Sequence, residues 1–344
     1  MGMLRRGWKP KRLRDQVIVI TGASSGIGLA TARMAARRGA RVVLTSRNER
    51  DLQVAVEDIK ARGGRATHVV ADVAAPADLE RVVEAAVREF GGFDTWVNNA
   101  GISIYGKLVD VPMEDKRRLF ETNFWGVVNG CRVAVRHFAR RGGTIVNIGS
   151  IVSDVAVPLQ GMYSASKHAV RGYTDALRME LEHDRLPITV TLVKPASINT
   201  PFVDHARNYM AEAPTLPPPV YAPEVVAAAI LTCAERRLRE IIVGGGGRAL
   251  TALGQLAPRT MDVYMERTMF RQQKDPTRSI PPVDSLYAPT RDGDSAGPYD
   301  GHVMRSSLYT KAAMSDVTRA MPFIAAGAML AAGMSRWRTT EPRT

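Results

Sequence analysis

The feature that most constrains this chain is an alternation running from residue 16 to about 243. Short apolar runs rich in β-branched residues are each followed by a longer amphipathic stretch. Strands are expected at 17–21, 41–46, 65–71, 95–98, 143–149, 188–194 and 240–243. Helices are expected near 26–38, 48–62, 76–89, 112–140, 161–184 and 222–236. A strand that is apolar along its whole length must be covered on both faces, the condition met by a parallel sheet wrapped in helices. Seven such strands in βα alternation predict an α/β, doubly wound (Rossmann) parallel sheet with helices on both faces.

The pattern changes after residue 243. The glycine run 244–247 ends the last strand, a helix-like stretch follows near 248–272, and 275–302 is rich in Pro, Gly, Asp and Ser, as a linker or loosely packed loop would be. A second helix-like stretch covers about 307–338. Within it, residues 320–334 carry no charge and are bounded by Arg319 and Arg336. That run is shorter than the roughly 20 apolar residues needed to cross a bilayer. It reads as an amphipathic or partner-facing helix, or as a short interfacial membrane anchor. The expected organisation is a basic arm at 1–14, a dinucleotide-binding catalytic domain at 15–247 and a helical and irregular extension at 248–344.

Composition narrows the function classes. The formal charge is +13, and Arg5, Arg6, Lys9, Lys11, Arg12 and Arg14 fall in the arm with no acid among them. Such an arm is either a solvated terminus or a phosphate-seeking segment. No nucleic-acid motif accompanies it, so no nucleic-acid partner is expected. Residues 17–21 are too short for a signal-peptide core. Arg6 stands where a myristoylation signal needs Ser or Thr. The only cysteines are Cys131 and Cys233, which give no disulfide framework and point to a reducing, cytoplasmic setting, with peripheral membrane attachment of the tail left open. The six histidines lack metal-ligand spacing, so no catalytic metal is expected.

Two motifs carry chemistry. The first strand runs into Thr21-Gly22-Ala23-Ser24-Ser25-Gly26-Ile27-Gly28 and a helix follows. Glycines allow the backbone close to a pyrophosphate, and a new helix points its unpaired N–H groups and positive dipole end at that anion. Gly28 lets the helix pack tightly on the sheet. The second motif is Tyr163-Ser164-Ala165-Ser166-Lys167. Its spacing stacks Tyr163 and Lys167 on one helix face. A free tyrosine titrates at about 10, and a neighbouring ammonium lowers that value, making the phenol a usable general acid/base.

Together these motifs, with the Gly-x-x-x-Gly-x-Gly spacing, resemble the short-chain dehydrogenase/reductase family in its classical subtype, over about residues 14–243. The resemblance implies a catalytic Ser150, thirteen residues before Tyr163, to hold the substrate oxygen. It implies Asn123 as the anchor of a water relay to Lys167, and Lys167 as a partner of the nicotinamide ribose. Asn98-Asn99-Ala100-Gly101 resembles the family's signature after the fourth strand, mainly structural, with Asn99, Ala100 and Gly101 beside the cofactor. Asp72 and Val73 resemble its adenine-contacting pair, although Asp72 can equally cap the following turn. Pro195, Ile198 and Thr200 lie in the loop expected at the nicotinamide and diphosphate; Ala196 replaces the family's glycine there. The family's usual interface helices, here 112–140 and 161–184, imply a homo-oligomer, dimer or tetramer.

The second strand ends at Ser46-Arg47-Asn48, where an NAD-preferring site would place a carboxylate for the ribose 2′-OH. A guanidinium suits the 2′-phosphate instead, so NADP (NADPH) is the expected cofactor, unless Arg47 is merely a solvated residue at a helix start. The expected activity is NADP(H)-dependent interconversion of an alcohol and a carbonyl. Apolar residues at 151–162 and 196–221 (Ile151, Val152, Val155, Val157, Leu159, Met162, Phe202, Val203, Tyr209, Met210) imply a lipophilic small-molecule substrate. The alternative is a non-catalytic NADP-binding sensor or a membrane-surface scaffold on the same fold.

Overall fold

The structure is a computed structural model that describes residues 9–290 and 293–315 of the 344. Seven strands form one sheet: β1 (Val17–Thr21), β2 (Arg41–Ser46), β3 (Arg65–Val70), β4 (Thr95–Asn98), β5 (Gly143–Ile148), β6 (Ile188–Pro195) and β7 (Glu240–Val243). Their spatial order is β7-β6-β5-β4-β1-β2-β3, and every neighbouring pair is parallel. The order turns back between β1 and β4, so a crevice opens there at the carboxyl ends of the strands. β1, β4 and β5 are buried at every position, as continuously apolar runs require. β3 is an edge strand and exposes both of its ends.

The helices of the sheet are α1 (Gly26–Arg37), α2 (Glu49–Ala61), α3 (Pro76–Phe90), α4 (Met113–Phe120), α5 (Gly126–Phe138), α6 (Gly161–His183) and α7 (Pro223–Glu235). Side chains alternate across a strand, and β1 shows the consequence. Ile18 and Ile20 join Leu29, Leu52, Val226 and Ile230 in the core under α1, α2 and α7. Val17 and Val19 join Leu79, Val127, Phe138 and Leu181 in the core under α3, α5 and α6. The single helix expected at 112–140 is interrupted by a π-helical turn at Glu121–Trp125. Such a turn inserts a residue into the helical repeat, which hydrophobic periodicity does not reveal.

The extension departs from expectation more. In place of one helix at 248–272 there are two, α8 (Gly245–Leu256) and α9 (Pro258–Gln272). Pro258 has no N–H to continue the ladder and holds Ala257 out of the helical region. α8 also starts inside the glycine run that was expected to release the chain. Met261, Met265 and Met269 of α9 repeat every four residues and pack on Val155, Val157 and Leu250. The segment expected as a linker, 275–302, instead folds back over the sheet's carboxyl edge, where Leu286 is fully buried. Its main-chain carbonyls accept hydrogen bonds from distant arginines, which composition does not disclose. Of the last helix expected, α10 (Leu308–Met314) lies within the described residues, and 320–334 lies outside them, as does most of the basic arm. The arm's final residues dock on the body: Leu13 is buried and Lys11 pairs with Asp94 at 2.7 Å. Among the described residues no helix is long and apolar enough to cross a membrane.

A buried polar chain ties the sheet to its helices. Trp96 Nε1 donates to Asn98 Oδ1 (2.7 Å), Asn98 Nδ2 donates to Asn147 Oδ1 (2.8 Å), and Asn147 Nδ2 donates to Thr174 Oγ1 of α6 (2.9 Å). α5 crosses this chain at Gly130, where a Cβ would lie 2.0 Å from Asn98 Oδ1 and 2.7 Å from Trp96 Nε1. Gly130→Ala is therefore expected to push α5 off the sheet and cost about 1–3 kcal/mol. A thermal melt should show the midpoint several degrees lower with the far-ultraviolet spectrum retained. An unchanged midpoint would mean that α5 does not press on Asn98.

Candidate active site

The glycine turn is built by close approach. Gly22 has φ +64°, a left-handed value, and a Cβ there would sit 2.8 Å from Ala100 Cα. A Cβ on Gly28 would sit 2.2 Å from the Gly22 carbonyl oxygen, so α1 crosses the turn in direct contact. Asn99 Nδ2 donates to the carbonyls of Thr21 (2.9 Å) and Gly22 (3.0 Å). Thr21 Oγ1 in turn accepts from the N–H groups of Asn99 and Ala100, each at 3.0 Å. The loop after β4 thus braces the turn after β1. Ser25 N-caps α1 without a side-chain bond to it.

A cavity of about 540 Å³ runs from this turn along the carboxyl ends of the sheet to β5 and beyond. Of the expected cofactor residues, Ser24, Ser25, Gly26, Ile27, Val73, Gly101, Pro195, Ile198 and Thr200 line it, together with the others except Gly28, whose part is packing. Asn123 does not line it either.

At the β2 end, Ser46 Oγ accepts from the Asn48 N–H (3.1 Å), and Asn48 caps α2 by accepting from the Asp51 N–H (3.1 Å). Arg47 is not a solvated residue. Its guanidinium donates to the main-chain carbonyls of Ser285, Leu286 (3.5 Å) and Tyr287 (3.1 Å). Burial lowers the Arg47 pKa, against the pull of Asp72. Asp72 caps its turn by accepting from the Ala74 N–H (3.0 Å) and pairs with Arg118 at 2.6 Å. Burial would raise the Asp72 carboxyl, but the Ala74 N–H and Arg118 hold it below the ordinary value.

At the other end, α6 presents Tyr163 and Lys167 one turn apart, with Lys167 Nζ 5.7 Å from the Tyr163 ring centroid. The Tyr163 hydroxyl is hydrogen-bonded to Ser150. Ser150 follows β5 and is locked in a capping box with Ser153; its Oγ donates to the Pro195 carbonyl (3.4 Å) and accepts from the Val152 N–H (3.3 Å). Lys167 Nζ donates to the Ile148 carbonyl (2.8 Å). The π turn aims Asn123 inward. Its Oδ1 accepts from the Ile102 N–H and its Nδ2 donates to the Ile102 carbonyl, both at 2.9 Å. Gly101 separates it from Lys167: a Cβ there would lie 3.5 Å from Asn123 Oδ1 and 3.6 Å from Lys167 Nζ.

The electrostatics differ from expectation in one respect. Burial pushes Tyr163 up to about 12, only partly opposed by the Ser150 bond. The lowering anticipated from Lys167 does not register on Tyr163, and Lys167, itself buried, comes down from 10.5 to about 8. Desolvation disfavours the ionised form of both groups.

The apolar wall also needs correction. Ile151, Val152, Val155, Val157 and Phe202 line the cavity as expected, whereas Leu159, Met162, Val203, Tyr209 and Met210 do not. Val203 and Met210 pack around Tyr105, Met162 and Tyr209 pack around Ile102 and Leu119, and Leu159 is buried away from the cavity. The missing wall comes from the extension: Leu250 of α8, Tyr264, Met265 and Met269 of α9, and Gln273 just after it. The four-residue methionine spacing was the one signal in the sequence that could have found them.

The family described as short chain dehydrogenase matches residues 16–210. The chain belongs to the short-chain dehydrogenase/reductase family. It is an oxidoreductase of that family, with a nicotinamide dinucleotide as cofactor. The uncharacterized oxidoreductase YxnA of Bacillus subtilis (strain 168) is 43% identical over 337 residues, 97% of this chain and 92% of the relative, so the likeness continues through the extension. A 3-ketodihydrosphingosine reductase of Bacteroides thetaiotaomicron is 40% identical over 197 residues, 57% of this chain and 68% of that protein. Among solved structures, a short-chain dehydrogenase/reductase of Burkholderia phymatum in complex with NAD superposes with a TM-score of 0.65 at 26% identity, covering 79% of this chain and 99% of the other. An alcohol dehydrogenase of Thermococcus sibiricus complexed with 5-hydroxy-NADP gives 0.58 at 25%, covering 66% and 95%.

In this dehydrogenase/reductase, Lys167 is a buried cation with no carboxylate partner among the described residues, and its lowered pKa has a consequence for stability. Between about 8 and 10.5 the unfolded chain holds the Lys167 proton more firmly than the folded one, so stability rises with pH across that window. Below pH 8 the folded state carries the full penalty. Lys167→Met is expected to stabilise the fold at pH 7, by up to about 3 kcal/mol less the lost bond to Ile148, and so to raise the thermal midpoint. The advantage should shrink as the pH climbs past 8. A destabilised Lys167→Met at pH 7 would contradict the desolvation argument.

Proposed function

We propose that the protein is an NADP(H)-dependent oxidoreductase that interconverts a secondary alcohol and a ketone, or a primary alcohol and an aldehyde, on a lipophilic substrate. One observation carries this reading: a single cavity joins the glycine turn, the Ser150–Tyr163 pair and an apolar chamber, in that order. The residues fit the dinucleotide. Gly28 leaves no room for a Cβ where α1 meets the turn, Ser24 to Ile27 line the cavity at the N-terminus of α1, and Arg47 places a cation at the end of β2.

When bound, the dinucleotide supplies the hydride-transfer chemistry. In reduction, Tyr163 Oη gives its proton to the oxygen that was the carbonyl; in oxidation, the same atom takes the proton of the alcohol. A phenol held near 12 keeps its proton at neutral pH, which suits it to the donating role. Ser150, pinned by its capping box, donates to the substrate oxygen as charge develops there. Lys167 brings positive charge one helical turn from Tyr163 and passes a proton toward it, and Asn123, fixed on Ile102 by the π turn, supports the buried side of that relay. Lys167 is buried and Tyr163 half-buried, which limits the access of bulk water to the exchange.

The chamber beyond Tyr163 is formed by Val155, Val157 and Phe202 on the domain side and by Leu250, Met265 and Met269 from the extension. Methionines give a wall that adapts to a flexible chain. The likeness to a 3-ketodihydrosphingosine reductase favours the same class, a ketone on a long apolar body.

Titration with NADPH and with NADH, followed by turnover on long-chain ketones, tests the reading; tighter NADH binding would overturn the choice of NADP. Tyr163→Phe is expected to keep its affinity for NADPH and lose turnover by about 10²–10⁴-fold. Full activity in that variant would remove Tyr163 from the reaction. The pH profile has a sign. Reduction should hold steady below pH 8 and fall above it as Lys167 loses its proton, and Lys167→Arg should move the fall to higher pH.

A further inference from the structure

The segment that composition marked as a linker forms the roof over one end of the cavity. Residues 284–290 are held there from three directions. Asp284 Oδ2 accepts from Arg207 Nε at 2.6 Å, and the Ser285 N–H donates to the His205 carbonyl at 2.8 Å. Leu286 is buried among Ile102, Ile104, Val111 and Leu119, while the Tyr287 hydroxyl donates to Asp115 Oδ1 of α4 at 2.7 Å. From the β2 side, Arg47 donates to the carbonyls of residues 285–287, Arg118 Nε to the Leu286 carbonyl at 3.1 Å, and Asn48 Nδ2 to the Thr290 carbonyl at 2.7 Å. Further along, the Asp294 carbonyl accepts from the Gly26 N–H at 2.8 Å.

This roof does not fill the cleft. Ser285, Pro289 and Thr290 line the same cavity as Ser46, Arg47 and Asp72. The hydroxyls of Ser285 and Thr290 bond each other at 2.7 Å, so neither depends on a distant partner and both can turn to a ligand oxygen. They stand beside a guanidinium whose charge is kept at the wall by uncharged carbonyls. Two hydroxyls and one cation form a donor set for a phosphate monoester.

We propose that residues 284–290 are a wall of the dinucleotide site, in which Ser285 and Thr290 act with Arg47 as ligands for the phosphate on the adenosine ribose. This rests on the dinucleotide reading of the cleft and goes beyond it by assigning cofactor contacts to the extension. The wall bridges β2, α4 and the loop at 205–207, so the adenosine end of the cofactor passes beneath it, and its opening sets the rate of cofactor exchange.

Hydrogen exchange of the intact chain, alone and saturated with NADPH or NADH, reads the wall directly. The expected result is slower exchange of the 284–290 amides with NADPH and a smaller effect with NADH. Two variants supply binding data. The double variant Ser285→Ala, Thr290→Ala is expected to weaken NADPH by about tenfold and NADH by less than half as much. Tyr287→Phe removes the bond to Asp115 without touching the cavity lining and should release NADPH severalfold faster in stopped-flow fluorescence. Faster exchange of 284–290 on adding NADPH would show a plug that the cofactor expels, and would overturn the proposal. So would unchanged NADPH affinity in the double variant, or equal losses for both dinucleotides. If the wild-type protein bound neither dinucleotide, the functional reading itself would fall, and this inference with it; if it bound NADPH with the segment unmoved, only the wall would be lost.

Discussion

Everything in this molecule depends on a parallel sheet whose central strands are dry on both faces. Because β1, β4 and β5 are buried throughout, their polar chemistry can surface only at their ends. Parallel strands bring all the carboxyl ends to one edge, and the turn-back of strand order between β1 and β4 opens that edge into a crevice. The glycine turn after β1, Asn99 after β4 and Ser150 after β5 are far apart in sequence and become neighbours for this reason alone. The contacts between them are short and specific: Asn99 bonds the carbonyls of the turn, and Gly28 meets the carbonyl of Gly22.

Burial also governs the chemistry at the other end of the crevice. Tyr163 and Lys167 share a helix face, but Lys167 is buried and Tyr163 half-buried, and desolvation pushes each toward its neutral form. In the protein by itself, desolvation is the first cause acting on each of them. The site is costly to stability, since a cation with no carboxylate partner among the described residues sits in the core.

The extension turns a family scaffold into a particular protein. α8 and α9 bring Leu250, Met265 and Met269 over the Tyr163 end of the cavity, and residues 284–290 arch over the other end. Both enclose the cavity from the side that the seven-stranded domain leaves open. The likeness to the Bacillus subtilis relative runs across 97% of the chain, extension included.

The sequence by itself determined the seven strands, their parallel arrangement and the residues around the glycine turn, because strand burial and helix amphipathicity are local patterns with fixed periods. Tyr163 and Lys167 stand one helical turn apart by spacing alone, whereas Ser150 was singled out only by the family resemblance. Only the tertiary structure decided the rest. The π turn that aims Asn123 arises from bonds to Ile102, 21 residues away, and leaves no mark on periodicity. Arg47 reads in isolation as a free cation at a helix start; its partners are carbonyls some 240 residues later, and a main-chain carbonyl has no side-chain identity to be read in advance. The segment at 275–302 looked unstructured because it has no period, yet order there comes from hydrogen bonds contributed by other parts of the fold. Patterns that repeat along the chain are legible in one dimension, whereas bonds that close long loops exist only once the loops are closed.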